Sequence, residues 1–429
     1  MKVLVVGGGG REHALCWALR RDLAFGDLYC APGNPGTAEL GTNLPIGAED
    51  LAHQAAAAET YGIDLVIVGP EAPLAMGLAD RLRAAGKAVF GPSAAAARIE
   101  ASKAFAKEVM AAAGIPTAQS ETFTELPPAL AHVDRHAEPL VVKASGLAAG
   151  KGAIVCPTRG EAKRALTAML REERFGEAGK VVVVESFLEG EELSVLAITN
   201  GKELAFLPPA QDHKRLLEGD RGPNTGGMGA YSPVSVATPA LLERVRRDVF
   251  EPALAELERR GAPFTGVLYA GLMVDEMGTP NVIEFNCRLG DPEAQAVLPR
   301  ITSGLLEAFR AAGAGEPLPP LGVRDDAAVA TVLAAQEYPE TPKPGKPIVI
   351  PAPELLPEGT IIFHAGTQRD EIGVLRTSGG RVLAVTAVAA TFAAAQEASR
   401  RGAEEISFEG KQFRRDIGWR EAARVGSRE

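Results

Sequence analysis

Over the first hundred residues, short apolar runs alternate with stretches that repeat at helical spacing. Lys2-Val-Leu-Val-Val6 is a continuous apolar run of the kind a strand buried on both faces requires. A helix is predicted from about Arg11 to Arg21, a second strand over Leu28-Tyr-Cys30, a helix over Glu49–Tyr61, and a third strand over Ile63–Val68 that ends in Gly69-Pro70-Glu71. A further helix leads to Lys87-Ala-Val-Phe90. This rhythm predicts an α/β architecture with a parallel, doubly wound sheet. Ligands on such sheets sit at the carboxyl ends of the strands. Here those ends carry Gly7 to Gly10, the Asn34 loop and the Gly-Pro-Glu turn.

An Ala-rich helix over about Ala94–Ala113 contains Lys103 and is stopped by Gly114-Ile-Pro116. A smaller α/β unit follows. It has strands at Leu140–Lys143, Ala153–Cys156 and Lys180–Glu185, and a helix over about Arg159–Glu173. Residues 211–229 contain no clear periodicity and are predicted to form a long polar, Gly-rich loop. A helix over Pro239–Arg260 precedes an apolar strand, Asn281–Asn286. Another helix over about Gly304–Ala312 and the prolines at 317–320 mark a boundary. Beyond it, strands are expected at Ala327–Ala335, Thr360–His364, Gly373–Arg376 and Arg381–Thr386, a helix at Thr391–Arg401, and a short strand and turn at Ile406–Phe413. This last, mixed α/β region holds no dense polar cluster and is expected mainly to cover the site.

At 429 residues the chain has room for two to four domains. Its hydrophobic share of 46% and charged share of 23% are those of an ordinary globular protein. A net charge of -10 argues against a nucleic-acid partner. Four cysteines with no CxxC spacing point to reduced thiols. No apolar run reaches membrane-spanning length and the N-terminus lacks signal-peptide flanks. The expectation is a cytoplasmic protein, a monomer or weak homo-oligomer, with small-molecule partners, no nucleic acid and no membrane.

Candidate chemistry concentrates at Glu284-Phe-Asn-Cys-Arg288. Side chains alternate along a strand, so Glu284, Asn286 and Arg288 share a face and Cys287 packs on the other. Two oxygen ligands and a guanidinium together suit a divalent cation beside a phosphate. The glycine run fails the dinucleotide fingerprint: a register starting at Gly7 places Glu12 in its third glycine position, one starting at Gly8 places His13 there, and no acid follows the second strand. A helix N-terminus with Arg11 beside it remains able to hold a phosphate. Lys143 and Lys151 flank a loop of small residues that either clamps phosphate or is a plain hairpin, and it lacks the Walker A pattern. Glu185 to Leu188 is either an adenine-binding edge, with Glu191 or Glu192 for ribose hydroxyls, or an acidic turn. Clustered Asp212, His213, Lys214 and Arg215 favour function over a solvated loop, although a lone His213 is more commonly an ordinary packed residue.

VGGGGREHAL, GPEAPLAMG, VVKASGLAAGKG, ESFLEGEELS, DHKRLLEGDRGPNTGGMGAYSP and VIEFNCRLGDPE span essentially the whole chain. Together they resemble the ATP-grasp ligases, and within them the phosphoribosylamine–glycine ligase family. The resemblance implies an N-terminal phosphoribosylamine-binding α/β domain (1–102), an ATP-grasp region (103–318) with a lid subdomain at about 117–190, and a C-terminal domain (319–429). It implies ligation of glycine to 5-phosphoribosylamine in purine biosynthesis, with ATP and Mg²⁺ or Mn²⁺ as cofactors. Lys103, Lys143, Lys151 and Gly152 would serve the ATP phosphates, Glu185, Phe187 and Leu188 the adenine, and Glu192 the ribose. Glu284 and Asn286 would hold the metal. Gly9, Gly10, Arg11, Asn34 and Glu71 would bind the phosphoribosylamine. Arg288 would pair with the glycine carboxylate or the transferring phosphoryl, joined in catalysis by Lys214 and Asp212. Many ATP-grasp enzymes supply an acidic metal ligand one strand upstream, but here Leu268-Tyr-Ala-Gly-Leu-Met-Val has no acid before Asp275. The alternatives are another ATP-grasp ligase of biotin-carboxylase type, a nicotinamide oxidoreductase and a non-catalytic nucleotide-binding module.

Overall fold

The computed structural model describes residues 1–22, 26–148 and 152–426. Its N-terminal sheet is fully parallel, in the spatial order Thr42–Asn43, Leu28–Pro32, Val3–Gly7, Leu65–Val68, Ala88–Phe90. Val3–Gly7 is buried throughout, which is why it reads as an unbroken apolar run. The connection reverses direction between Val3–Gly7 and Leu65–Val68. The crevice at that switch point is where a doubly wound sheet takes its ligand. It is lined by the start of the helix Gly10–Asp22 and by Glu71, first residue of the helix Glu71–Ala75.

A four-stranded antiparallel sheet forms the centre. Leu204–Phe206, Glu191–Thr199, Gly266–Val274 and Pro280–Asn286 lie side by side in that order. A smaller antiparallel sheet, ordered Ser120–Phe123, Val182–Ser186, Leu140–Ala144, Ala153–Cys156, carries the helices Leu126–Arg135 and Arg159–Leu170 over its own apolar core. The predicted single helix over Ala94–Ala113 is two, Ala94–Ala101 and Lys103–Ala113. Ser102 adopts an extended conformation between them and its hydroxyl caps the second by accepting the Phe105 N–H.

Residues 211–229 depart from the predicted loop. Gln211–Asp212 and Gly229–Ser232 are strands, and Arg215–Leu217 pairs with Arg221–Asn224 as a hairpin between them. Gly229–Ser232 pairs in turn with Ala327–Ala334, so this segment belongs to the C-terminal five-stranded sheet that continues through Arg381–Ala389 to Thr360–His364. Ile406–Phe413 forms only isolated bridges, Val349 with Ser407 and Ala334 with Gln412, rather than a strand. One apolar core runs from Leu4 and Val66 through Leu193 and Leu268 to Tyr231 and Phe392, so the C-terminal sheet is packed into the molecule rather than laid over it. All four cysteines are free and buried. Among the described residues no helix is long and apolar enough to cross a membrane.

His13 joins the first and last of these units. It is buried, its Nδ1 accepts the backbone N–H of His364 at 2.7 Å, and its ring meets Phe363 edge-on. A side chain at Gly36 would strike this ring, with Cβ 2.0 Å from Cε1. Burial, reinforced by His364, pushes the His13 pKa down to about 3. The unfolded chain binds a proton here at about pH 6.5 and the folded chain does so only near 3, so this contribution to stability is present above 6.5 and is lost as pH falls through that window. Urea unfolding between pH 7 and 5 is expected to show stability falling by about 1.4 kcal/mol per pH unit for this histidine. The slope should flatten by that amount in His13→Gln, and an unchanged slope would show that His13 is not held neutral.

Candidate active site

Where the central sheet, the small sheet and the N-terminal unit meet lies a cavity of about 440 Å³, within the usual range for a small-molecule site. Its floor is the strand Pro280–Asn286 and the turn that follows. Glu284, Asn286 and Arg288 all line it, Cys287 is in the core, and Phe285 is packed in the core while bordering the cavity. The strand has an extra residue: Glu284 pairs with Gly271 and Val282 with Leu272, leaving Ile283 unmatched. The Ile283 carbonyl turns to accept Lys143 Nζ at 2.9 Å, which anchors that lysine across from Glu284.

Lys143 is itself one arm of a buried triad. Glu185 Oε2 lies 2.9 Å from Lys143 Nζ, and Oε1 lies 3.3 Å from Lys107 Nζ. Lys107 also donates to Thr117 Oγ1 and the Ala118 carbonyl. The Glu185 carboxylate, expected to receive an adenine amine, is thus paired with two lysines, and among the described residues its Oε1 has no hydrogen bond. Phe187 and Leu188 line the cavity beside it. Of the two ribose candidates, Glu191 is committed elsewhere, to Arg424 and Gln211, while Glu192 faces the cavity and pairs with Lys214 at 2.8 Å. Lys103 enters from the start of its helix and donates to the Gly146 carbonyl at 3.1 Å. Gly152 lines the cavity where a Cβ would stand 2.7 Å from that of Ala148. Lys151 lies outside the described residues.

Asp212 and Lys214 reach the cavity from the edge of the C-terminal sheet, and His213, between them, points away. Its Nε2 accepts the Gly418 N–H and its Nδ1 lies 3.6 Å from Asp220, so it braces the loop rather than facing the cavity. Burial pushes the Asp212 carboxyl well above its usual range: Lys214 opposes this and the carboxylates of Glu293, Glu192 and Glu284 add to it. Burial acts against the Lys214 charge, yet Glu192, Asp212 and Glu284 hold it firmly protonated. Glu284 stays ionised because Lys214, Lys143, Lys103 and Arg288 outweigh its burial.

The side facing the N-terminal sheet is built around Arg288. Its Nε donates to Glu71 at 3.1 Å, its Nη2 to Glu100 at 2.6 Å and its Nη1 to the Leu289 carbonyl at 3.1 Å. Burial would raise the Glu71 pKa, but Arg288 and Arg11 bring it down to about 2. Arg11 is buried, pairs with Glu12 at 2.7 Å and sits 3.9 Å from Glu71. Two of the expected phosphoribosylamine ligands are otherwise engaged. The Gly9 N–H is taken by Glu12 Oε2 at 2.7 Å. The Asn34 amide donates to the carbonyls of Gly8 and His364 and accepts from Gly36 and Thr37, bracing the glycine turn. Gly10 packs so closely that a Cβ would meet Gln295 Nε2 at 2.6 Å.

Several residues in this site carried no signal taken up from the sequence. Lys107 stands four after Lys103 on the same helix, legible once Lys103 is chosen, whereas Glu100 lies on the preceding helix, across the break at Ser102. Tyr269, opposite Asn286 in the ladder, stands on the strand where an upstream acid was sought. Its hydroxyl and that of Ser194 donate to Glu293 Oε1. Arg381, from the C-terminal sheet, donates to the Asp291 and Gly226 carbonyls and pairs with the Asp291 carboxylate at 3.2 Å. That corrects the view of the C-terminal region as mainly a cover.

Family models for phosphoribosylglycinamide synthetase match the chain in three parts: the N domain over residues 1–100, the ATP-grasp domain over 101–294 and the C domain over 328–420. The chain belongs to the phosphoribosylglycinamide synthetase family. It is 49% identical to a phosphoribosylamine–glycine ligase of Ralstonia nicotianae, covering 98% of this chain and 99% of the other. It is 47% identical to one from Synechocystis, covering 97% and 99%. The crystal structure of a phosphoribosylamine–glycine ligase from Thermotoga maritima superposes with a TM-score of 0.84 at 34% identity, covering 97% of this chain and all of that one. A biotin carboxylase domain of Hydrogenobacter thermophilus 2-oxoglutarate carboxylase, at 17% identity and TM-score 0.73 over 96% of this chain and 91% of that one, shares the fold. Membership of the synthetase family agrees with the architecture, an ATP-grasp core between an N-terminal parallel sheet and a C-terminal domain.

Taking one lysine from the buried triad leaves a carboxylate short of a partner, which costs several kcal/mol when a buried pair is broken. Lys107→Met is expected to lower stability by about 3 kcal/mol, seen as a drop in Tm. A Tm equal to that of the parent would show that Glu185 does not depend on Lys107.

Proposed function

We infer that this chain joins glycine to 5-phosphoribosylamine using ATP, forming glycinamide ribonucleotide, ADP and phosphate in purine biosynthesis. The observation that carries this is the single cavity whose one wall is a set of lysines around Glu284 and Asn286 and whose other wall, through Arg288 and Glu71, opens onto the switch point of the N-terminal sheet. A nucleotide half and a sugar-phosphate half thus share one space.

The chemistry follows from the weakness of a carboxylate as an electrophile. A glycine carboxylate oxygen attacks the γ-phosphorus of ATP and ADP departs, giving glycyl phosphate. The amine nitrogen of phosphoribosylamine then attacks the carbonyl carbon, the C–O bond to phosphate breaks, and the nitrogen loses a proton. Both steps demand alignment and charge neutralisation more than a protein nucleophile. Lys103, Lys143 and Lys151 neutralise the phosphates, Glu185 to Leu188 and Glu192 seat adenosine, and Lys214 with Asp212 governs charge near the reacting atoms. Arg11 and Glu71 hold the ribosylamine side, with Gly9, Gly10 and Asn34 shaping the turn beneath it.

Glu284 and Asn286 suit Mg²⁺ or Mn²⁺: both offer hard oxygen donors on one face, and the surrounding cations keep Glu284 ionised. Among the described residues no group of three or more His, Cys, Asp or Glu is gathered for a metal; Glu284 and Asn286 would hold the cation, which usually takes its remaining ligands from substrate phosphate and water. Such a cation supplies charge neutralisation at the transferring phosphoryl group. Residues 1–102, 103–318 and 319–429 are the corresponding functional divisions, with 117–190 as the lid.

ADP release by the purified chain is expected to require glycine and phosphoribosylamine together. Release that depends instead on bicarbonate and biotin would overturn the reading. Glu284→Gln is expected to lower kcat by roughly 100-fold while Tm stays close to that of the parent. Near-normal turnover of that variant at limiting Mg²⁺ would remove Glu284 from the metal site.

A further inference from the structure

Glu100 is assigned nothing by the chemistry above, yet it stands in the cavity wall. It lies in the last turn of the helix Ala94–Ala101 and is 8% exposed. That is an unfavourable place for a carboxylate: the carboxyl end of a helix carries negative partial charge, and burial adds a desolvation cost. A purely packing role would be filled with less cost by an apolar residue. Both oxygens are nevertheless used on one neighbouring segment. Oε1 accepts from Arg288 Nη2 at 2.6 Å and Oε2 accepts the backbone N–H of Cys287 at 2.8 Å. A single rigid carboxylate therefore fixes the backbone and the side-chain tip of consecutive residues.

The consequence for Arg288 can be counted. A guanidinium has five N–H groups. One goes to Glu71, one to Glu100 and one to the Leu289 carbonyl. Among the described residues one N–H on each terminal nitrogen remains, and the side chain lines the cavity. Glu71 grips Nε from the N-terminal unit while Glu100 grips Nη2, and two anchors at different nitrogens fix the plane of a fork that one anchor would leave free to turn.

We propose that Glu100 is a positioning residue for the ligation: it sets the plane of Arg288 so that the two remaining N–H groups meet the glycine carboxylate and the acyl phosphate formed from it. This rests on the function inferred above. Among the described residues both Glu100 oxygens bond to Cys287 and Arg288 and neither to a lysine, although its charge also favours protonated Lys103, so its main influence is expected on the glycine-dependent steps rather than on nucleotide binding.

The test is steady-state kinetics of Glu100→Gln, which keeps the shape and loses the charge and one acceptor, alongside Arg288→Lys and the double variant. ADP affinity is measured by calorimetric titration of each. For Glu100→Gln, kcat/KM for glycine is expected to fall at least tenfold with ADP affinity within twofold of the parent. The double variant should be no worse than Arg288→Lys alone, because the two residues act as one. Glu100→Asp, which keeps the charge on a shorter stem, should recover part of the loss and serves if Glu100→Gln does not fold. The proposal is overturned if Glu100→Gln retains glycine kinetics within twofold, if ADP binding weakens in parallel with turnover, or if the losses in the double variant multiply. A parent chain that shows no glycine- and phosphoribosylamine-dependent ADP release would instead overturn the function itself.

Discussion

The grip of Glu71 and Glu100 on Arg288 is the interaction on which the rest of the site depends. Glu71 begins a helix at the end of a parallel strand, Glu100 ends a helix leading out of the N-terminal unit, and Arg288 follows the last strand of the central sheet. Three elements that are far apart in sequence are thereby fixed to one planar group. A guanidinium suits this better than an ammonium, because its donors have set directions and each can hold a different carboxylate. The lysine-lined wall and the crevice of the N-terminal sheet are held in register by this contact, as the proposed ligation of two substrates would require.

The same logic of compensation runs through the cavity. Glu185 is buried against Lys143 and Lys107, Lys214 against Glu192, and Asp291 against Arg381. Withdrawing single charges from water is costly, so each is paired before a ligand arrives. The arrangement gathers paired opposite charges in a partly enclosed space, where their effect on a phosphate would be stronger than in water. Asp212, like Glu100, is pushed towards its neutral form by burial. Burial among Glu293, Glu192 and Glu284 favours the protonated form of Asp212 against the pull of Lys214, so this carboxyl is biased towards holding a proton.

Much of this was legible in the chain. Periodicity gave the parallel N-terminal sheet, because buried strands leave unbroken apolar runs. Alternation along Asn281–Asn286 set Glu284 and Asn286 towards the cavity, and carried two residues further it also placed Cys287 in the core and Arg288 in the cavity. What escaped depends on pairings between distant segments. Nothing local in Gln211–Asp212 announces a strand two residues long, since its partner across Gly229–Ser232 is the C-terminal Ala327–Ala334. Asn34 and Gly9 sit where substrate ligands are expected, yet Asn34 is spent on the carbonyls of Gly8 and His364, and the Gly9 N–H on a side chain only three residues away. The polar residues of the C-terminal region are dispersed in sequence, so Arg381 gave no cluster to notice.

That dispersal changes how the C-terminal region should be understood. Asp212, at the end of its strand, and Lys214, just beyond it, line the cavity, while the intervening His213 is held on the other side by the Gly418 N–H beside the Asp220–Arg414 pair. Arg414 is fully buried and also forks onto Asp416. Arg424 reaches Glu191, one residue before the Glu192 that faces the cavity. A hinged cover would touch the site only when closed. Here the strand Gly229–Ser232 that pairs with Asp212 is itself held by Ala327–Ala334, and the arginine that fixes Asp291 and the brace behind the strand bearing Glu192 both come from beyond residue 320. The catalytic geometry is therefore a property of the whole chain, and the ATP-grasp core has no separate claim to it.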